Sequence, residues 1–348
     1  MGGGLLLALP LALGVAGHAR ANAQGLPVPA PMVGAVSGPG VAPVQPPSVQ
    51  VVPGSGGAGQ GAGRRRVASL NLCTDQLVLM LADRADIVGL SALARDCTLS
   101  VLCERARAVP VLPTTAESVL AARPGVVLAG DFTARLAVSA ARQVGANVTT
   151  LPPASSLADV GRQIMLVARA VGHPERGQAL AAAFAARLAE LARAPTPSDP
   201  VAVIYEANGL VVHRGSLLDD VLMRAGLRNF ATVMALPSAS GRVPLEVLLN
   251  HRPELLVRNP SGPGYSLAQG MLENPVLLAA FPPPHVVDVP QKLWLCALPQ
   301  TLDALAILRH ARDALTASAQ PPIASLTAPP IAPPIAPPTA PTREITAP

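Results

Sequence analysis

Six histidines, four cysteines and a few aromatic residues are the side chains of this chain that could do chemistry, and their spacing narrows what that chemistry is. His18, His173, His213, His251, His285 and His310 are dispersed and make no HxxxH pair. A directly bound zinc or manganese ion would need several convergent ligands, so none is expected. There is no phosphate-cradling GxxxxGK(S/T) loop and no GxSxG elbow. Asp75 and Asp131 could move protons, but each also suits a helix start, and the capping role fits better. The chain therefore reads as a non-enzyme. Cys97 and Cys103 are close enough to pair, or are small loop residues; Cys73 and Cys296 fall in opposite halves of the chain.

The elements that must position these residues are legible from periodicity. Residues 174–194 carry Leu180, Phe184, Leu188 and Leu191 three or four apart in an Ala-rich background, which predicts one long helix with a single apolar stripe. Pro174 and Glu175 suit its first turn, and Pro195 and Pro197 end it. The flanks of this helix carry matching phrases, ESVLAARPGVVL at 117–128 and EVLLNHRPELLV at 246–257. Glu117, Leu120, Arg123 and Pro124 correspond to Glu246, Leu249, Arg252 and Pro253 at one offset. Each copy reads as a short helix, an Arg-Pro break and a buried strand, because proline disfavours helical backbone in the residue before it. Strands alternate with helices on both sides, at 67–70, 87–90, 109–112, 126–129 and 147–151, then 201–204, 210–213, 255–257 and 286–289. That pattern predicts an α/β chain of two related lobes with mainly parallel sheets, the long helix being the strut between them.

With 348 residues the chain can bury two cores. Half of it is apolar, aromatics are only 2%, and the net charge of +5 is almost wholly arginine, Lys292 being the only lysine. The arginines are scattered and lack interleaved aromatics, which excludes a nucleic-acid surface. Residues 5–16 are an apolar run too short to span a bilayer, and Ala21-Asn22-Ala23 offers a cleavage site, so export to the periplasm is expected, although MGGG has no basic residue. No cysteine near that site would carry a lipid. A Gly54-x-Gly56-x-x-Gly59 match is followed by more glycine and three arginines, and so is not a dinucleotide fingerprint. The expected organisation is a signal peptide at 1–23, a Gly/Pro-rich linker at 24–64, an N-terminal lobe at 65–173, the interlobe helix at 174–194, a C-terminal lobe at 195–318 and a Pro-rich disordered tail at 319–348.

Ligands of open parallel sheets bind beyond the carboxyl ends of the strands. This selects loops 71–75, 92–96, 130–133, 205–209 and 290–300, facing one another across a cleft between the lobes. They hold Asn71, Cys73, Thr74, Arg95, Phe132, Tyr205, the only tryptophan, Trp294, and Cys296 as ligand-binding candidates. A bond between Cys73 and Cys296 would hamper opening of the cleft, and both are expected to face the ligand.

Residues 67–80, VASLNLCTDQLVLM, resemble the opening strand, turn and helix of the periplasmic substrate-binding proteins of ABC importers for ferric siderophores and cobalamin. Residues 117–130 resemble the E-x-(I/V)-L-x-L-x-P-D-L-V element of that family, with Gly125 in place of the usual Asp; 245–257 is similar to its second-lobe counterpart and 293–296 to its late cleft loop. The resemblance covers 65–317. It implies two Rossmann-like lobes joined by one long helix, a small closing motion, and a monomer that hands its ligand to an inner-membrane permease and ATPase. It also implies that one surface glutamate per lobe, here Glu117 and Glu246, meets the transporter. A ferric siderophore would often be anionic, which adds Arg242 to Arg95 as a ligand contact. Cobalamin or haem is the alternative cargo, and a hydrolytic enzyme on a doubly wound fold is the alternative of a different class.

Overall fold

Val67–Ser69 (β1) is buried end to end because it runs through the middle of a sheet. In this computed structural model, which describes residues 65–133, 135–236, 241–259 and 267–319, β1 leads into Leu72–Leu81 (α1). There follow Ile87–Gly89 (β2), Cys103–Arg107 (α2), Ala116–Ala122 (α3), Val126–Gly130 (β3), Arg135–Gln143 (α4), Asn147–Leu151 (β4) and Leu157–Val171 (α5). Pro174–Leu191 (α6) follows. The second lobe contains Val201–Tyr205 (β5), Leu217–Arg224 (α7), Arg228–Asn229 (β6), Phe230–Val233 (α8), Leu245–His251 (α9) and Leu255–Arg258 (β7). Leu267–Gly270 (α10), Pro275–Ala280 (α11), Val286–Asp288 (β8) and Thr301–Ala319 (α12) complete it. The signal-peptide and linker expectations, and the tail beyond Ala319, lie outside the described residues.

Each lobe is an all-parallel, four-stranded sheet, ordered β2-β1-β3-β4 in the first and β6-β5-β7-β8 in the second. In chain order the two topologies are identical, which is what the repeated phrase anticipates. The Arg-Pro break behaves the same way in both copies. Arg123 ends α3 at φ 42°, ψ 58°, and Arg252 ends α9 at φ 39°, ψ 70°. Both are forced out of the helical region by the following proline and turn the chain directly into the central strand.

The strut is fastened at both ends by arginine. Arg176 donates to the carbonyl of Leu81 at 2.7 Å and pairs with Asp83 at 3.0 Å, tying the start of α6 to the first lobe. Arg309 of α12 donates to the carbonyls of Glu190 and Leu191, each at 3.0 Å, closing the C-terminal end of α6 onto the second lobe. Phe184 is buried, while Leu180 and Leu188 pack partly buried against the same core. α6 lies close on α5: a Cβ at Gly177 would sit 2.3 Å from the Cβ of Ala168, so only glycine fits there. The core that receives α6 is continuous, running from α1 and α5 through Trp294 to α7 and α12.

Two strand expectations change and one strand is added. Val109–Leu112 makes only a bridge, Val111 to Leu90, and Leu210–His213 makes only antiparallel bridges, Val211 to Tyr205 and Leu210 to Arg242. Each stretch still exchanges backbone hydrogen bonds with its neighbour, Leu90 N–H to the carbonyl of Pro110 at 3.0 Å and Val212 N–H to the carbonyl of Ile204 at 3.3 Å, but the pairing does not extend into a regular strand. Conversely β6, two residues with one arginine, carries no apolar run that could reveal it.

Candidate ligand-binding cleft

Three consecutive strand ends of the first lobe build one wall of a cavity. Beyond β1, Asn71 caps α1, its side-chain oxygen accepting from the N–H of Cys73 at 2.9 Å. Beyond β3, the chain turns at Gly130, whose N–H donates to Thr133 Oγ1 at 2.8 Å. A side chain at Gly130 would come 3.3 Å from the amide nitrogen of Asn71, so glycine lets the turn and the cap sit close together without displacing either. Beyond β4, Pro152 and Pro153 stiffen the exit, and Gln163 of α5 donates to the carbonyl of Pro152 at 2.8 Å. The opposite wall comes from the second lobe: Leu217 at the start of α7, and Leu295, Cys296 and Ala297 in the loop before α12. The space between the walls is about 240 Å³ and opens to solvent.

Among the described residues the lining is mostly apolar, with Asn71, Asp131 and Gln163 as its polar groups and no arginine or histidine. Phe132 stands on the rim with 90% of its surface exposed, and Leu295 is 43% exposed. Large apolar side chains held in water beside a cavity mark a surface made to be covered.

Of the candidates from sequence, Asn71, Cys73, Phe132 and Cys296 meet in this cavity. Trp294 does not face it. It is 1% exposed, packed in the interlobe core, with no hydrogen-bond partner for its Nε1 among the described residues. It anchors the loop whose next three residues line the cavity. Thr74 is fully buried, bonded to Ser69 Oγ at 2.7 Å and to the carbonyl of Asn71 at 2.9 Å, and so braces the turn from beneath. Tyr205 is fully buried as well, its hydroxyl donating to the carbonyl of Val243 at 3.0 Å. It closes the core of the second lobe, because the last residue of a central strand points into the layer of helices when its side chain falls on the inner register. Arg95 is exposed and donates to the carbonyl of Val109 at 2.7 Å. Arg242 is exposed beside the bridge to Leu210. Neither arginine lines the cavity. The expectation missed the β4 exit and Leu217. The strand-end rule, applied to β4 as it was to β1 and β3, finds the first; the second depends on how the lobes face each other.

The largest correction concerns the cysteines. Cys73 and Cys296 are bonded to each other, with Cα atoms 5.2 Å apart across a sequence separation of 223. Sequence reasoning places both in ligand-facing loops of opposite halves and counts a bond between them as a restraint on opening. The fold instead brings the N-terminus of α1 and the loop before α12 into contact at the base of the cleft. Cys97 and Cys103 are also bonded, within the first lobe. Among the described residues, ligand-type side chains gather in two places: Cys97, Cys103 and Glu104, and Asp83, Asp86 and His173. The first group has its thiols committed to the disulfide, and in the second Asp83 pairs with both Arg176 and His173. Neither borders the cavity.

Directly below the cavity wall, Asp75 of α1 is fully buried and accepts from Ser91 Oγ at 2.5 Å and from Ser91 N–H at 3.3 Å. Burial raises its pKa to about 7, against the lowering effect of bonds from Ser69 and Ser91. On the other lobe, burial likewise raises the pKa of Glu206, just past β5, opposed by a bond from Asn259.

Two parallel sheets of identical topology, one strut helix and a cavity at facing strand ends describe a two-lobed binder, and the sequence comparison decides its kinship. A family model described as periplasmic binding protein matches residues 67–293. The chain belongs to the periplasmic binding protein family. No curated protein matches it. Among solved structures, a periplasmic heme-binding protein from Roseiflexus sp. RS-1 is similar at TM-score 0.60 and 25% identity, covering 73% of this chain and all of that one (100%). A periplasmic heme-binding protein from Pseudomonas aeruginosa is similar at TM-score 0.55 and 23% identity, covering 71% and 92%. The periplasmic vitamin B12 binding protein of Vibrio cholerae shares the fold at TM-score 0.56 and 16% identity, covering 72% and 98%. These relatives are binding proteins, and no helix among the described residues is long and apolar enough to cross a membrane.

Proposed function

We propose that this periplasmic binding protein takes up a macrocyclic metal chelate of the haem or corrinoid class at the interlobe cleft and delivers it to an ABC-type importer. The observation that carries the reading is the rim: Phe132, 90% exposed, and Leu295 flank a cavity with no basic residue among the described residues of its lining. A planar macrocycle would cover both side chains, and an aromatic ring supplies a stacking face at little entropic cost. Arg95 and Arg242, the candidate contacts for an anionic ferric siderophore, stand outside the lining; the propionates of a haem would have to reach solvent at the rim. The similarity to the Roseiflexus heme-binding protein at 25% identity supports the same class.

The chain is exported by the leader at 1–23 in this reading, and works as a monomer. Glu117 and Glu246 are exposed at equivalent places on the two lobes, each in the first turn of its helix. A pair of carboxylates related by the internal repeat suits a transporter with two equivalent subunits.

The test is titration of purified protein with haemin, cyanocobalamin and a ferric hydroxamate, followed by absorbance and by quenching of the single tryptophan, Trp294. Saturable binding of haemin or cyanocobalamin is expected. Binding of the hydroxamate alone, or turnover of an ester or phosphate substrate, overturns the assignment.

A further inference from the structure

We propose that the Cys73–Cys296 disulfide is a redox-controlled lock between the lobes, released by a dithiol that reaches it through the ligand cavity. Four observations carry this. The bond joins α1 of the first lobe to the loop before α12 of the second, and is separate from the strut α6. Both of its residues line the cavity, so the bond lies where a small reductant can approach. Cys73 is partly exposed whereas Cys296 is 1% exposed, so the two sulfurs are distinguishable to an attacking thiolate. Finally, the locked cavity of about 240 Å³ is smaller than the ~300–1,000 Å³ of sites that enclose a ligand of several hundred daltons.

The exchange is balanced without a further reactant. One thiolate of the dithiol attacks Cys73 Sγ, forming a mixed disulfide and displacing Cys296 as a thiolate, which takes up a proton. The second thiol of the reductant then closes its own disulfide and displaces Cys73. The reductant loses two electrons and the Cys73–Cys296 pair gains them. Cys73 lies in the first turn of α1, where backbone N–H groups and the helix dipole favour a departing thiolate. With the bond broken, α6 still joins the lobes. The interlobe hydrogen bond from Leu157 N–H to Asp220 and the packing around Trp294 then resist separation without forbidding it. Cys97–Cys103, contained within one lobe, cannot act this way and serves as an internal control.

The test needs no ligand, so its failure leaves the cargo assignment standing, and failure of that assignment leaves the lock standing. Small-angle X-ray scattering and amide hydrogen exchange are measured on the oxidised protein, on the protein in dithiothreitol, on the Cys73→Ser/Cys296→Ser variant and on the Cys97→Ser/Cys103→Ser variant. Reduction and the first variant should enlarge the radius of gyration. They should also speed exchange at Leu157 and at residues 295–298 at least tenfold, while the second variant matches the oxidised protein. Should the first variant fail to fold, dithiothreitol applied to the Cys97→Ser/Cys103→Ser variant, whose one remaining disulfide is Cys73–Cys296, decides. Unchanged scattering and exchange on verified reduction of Cys73 and Cys296 would overturn the proposal, as would an equal response from the Cys97/Cys103 variant.

Discussion

Asp220, on α7 of the second lobe, accepts a hydrogen bond of 2.7 Å from the backbone N–H of Leu157, the first residue of α5 in the first lobe. A free N–H at a helix start is thus satisfied from across the cleft, while Asp159 satisfies its neighbours, accepting from Ser155 N–H at 2.9 Å and Ser156 N–H at 2.8 Å. Asp220 also pairs with Arg224 at 3.3 Å. Asp220→Ala should lower stability by about 1–2 kcal/mol, the usual cost of leaving a partly buried donor unpaired. Urea denaturation checks this, and exchange at the Leu157 amide reports the local opening; an unchanged Leu157 amide would mean the lobes do not meet there in solution.

Stability should fall as pH rises from about 4 to about 7, because of Asp75. Its folded pKa is raised to about 7 by burial, so the folded state holds a proton that the unfolded state has already released. The stabilisation is complete below the ordinary carboxylate range and is lost as pH passes through 7. A drop on the order of 4 kcal/mol is the upper bound. Asp75→Asn, which keeps the neutral shape, should flatten the pH profile of the melting temperature, and an unaltered profile would assign the slope elsewhere.

Asp159 works in the opposite sense. Partial burial raises its pKa, but bonds from Ser155, Ser156 and Arg162 prevail and bring it down to about 2. Its contribution is present above the normal carboxylate range and disappears as pH falls through 2. Asp159→Asn should therefore cost stability at pH 7 and little at pH 2, read by the same melting series.

Phe132→Ala should leave folding almost untouched, within about 0.5 kcal/mol, since the ring is 90% exposed. Affinity for a haemin or cyanocobalamin probe should fall roughly tenfold, the loss of one stacking face. Equal affinity in wild type and variant would remove Phe132 from the binding surface.

Reversing both exposed glutamates, Glu117→Arg with Glu246→Arg, should leave ligand affinity unchanged and reduce uptake by cells at least about tenfold through like-charge repulsion at the permease. Each single reversal should fall between. Uptake that stays normal in the double variant would rule out these carboxylates as the docking pair.

The two disulfides should differ in what they contribute to stability. Chain-entropy reasoning gives about 5 kcal/mol for closing the long Cys73–Cys296 loop and about 2 kcal/mol for the short Cys97–Cys103 loop. Paired Cys→Ser variants compared by denaturant midpoint test the ranking, which a larger loss from the Cys97/Cys103 pair would reverse.

Local order was written plainly in the chain. The apolar stripe of α6, the paired Arg-Pro breaks at Arg123 and Arg252, and the alternation of strands and helices each follow from forces acting over a few residues. The repeat then implied two lobes of one topology. The strand-end rule located Asn71 and Phe132 for the same reason: in a parallel sheet the exits of the strands all point one way. What sequence could not settle was the depth of a side chain and its partner from the other lobe. Thr74, Tyr205 and Trp294 look equally suited to a cleft or a core, and only the packing of helices on sheets put all three inside. The union of Cys73 with Cys296 and the meeting of Leu157 with Asp220 join residues far apart in the chain. Such contacts depend on how two separately formed lobes come to rest against each other, and periodicity within either lobe carries no record of that.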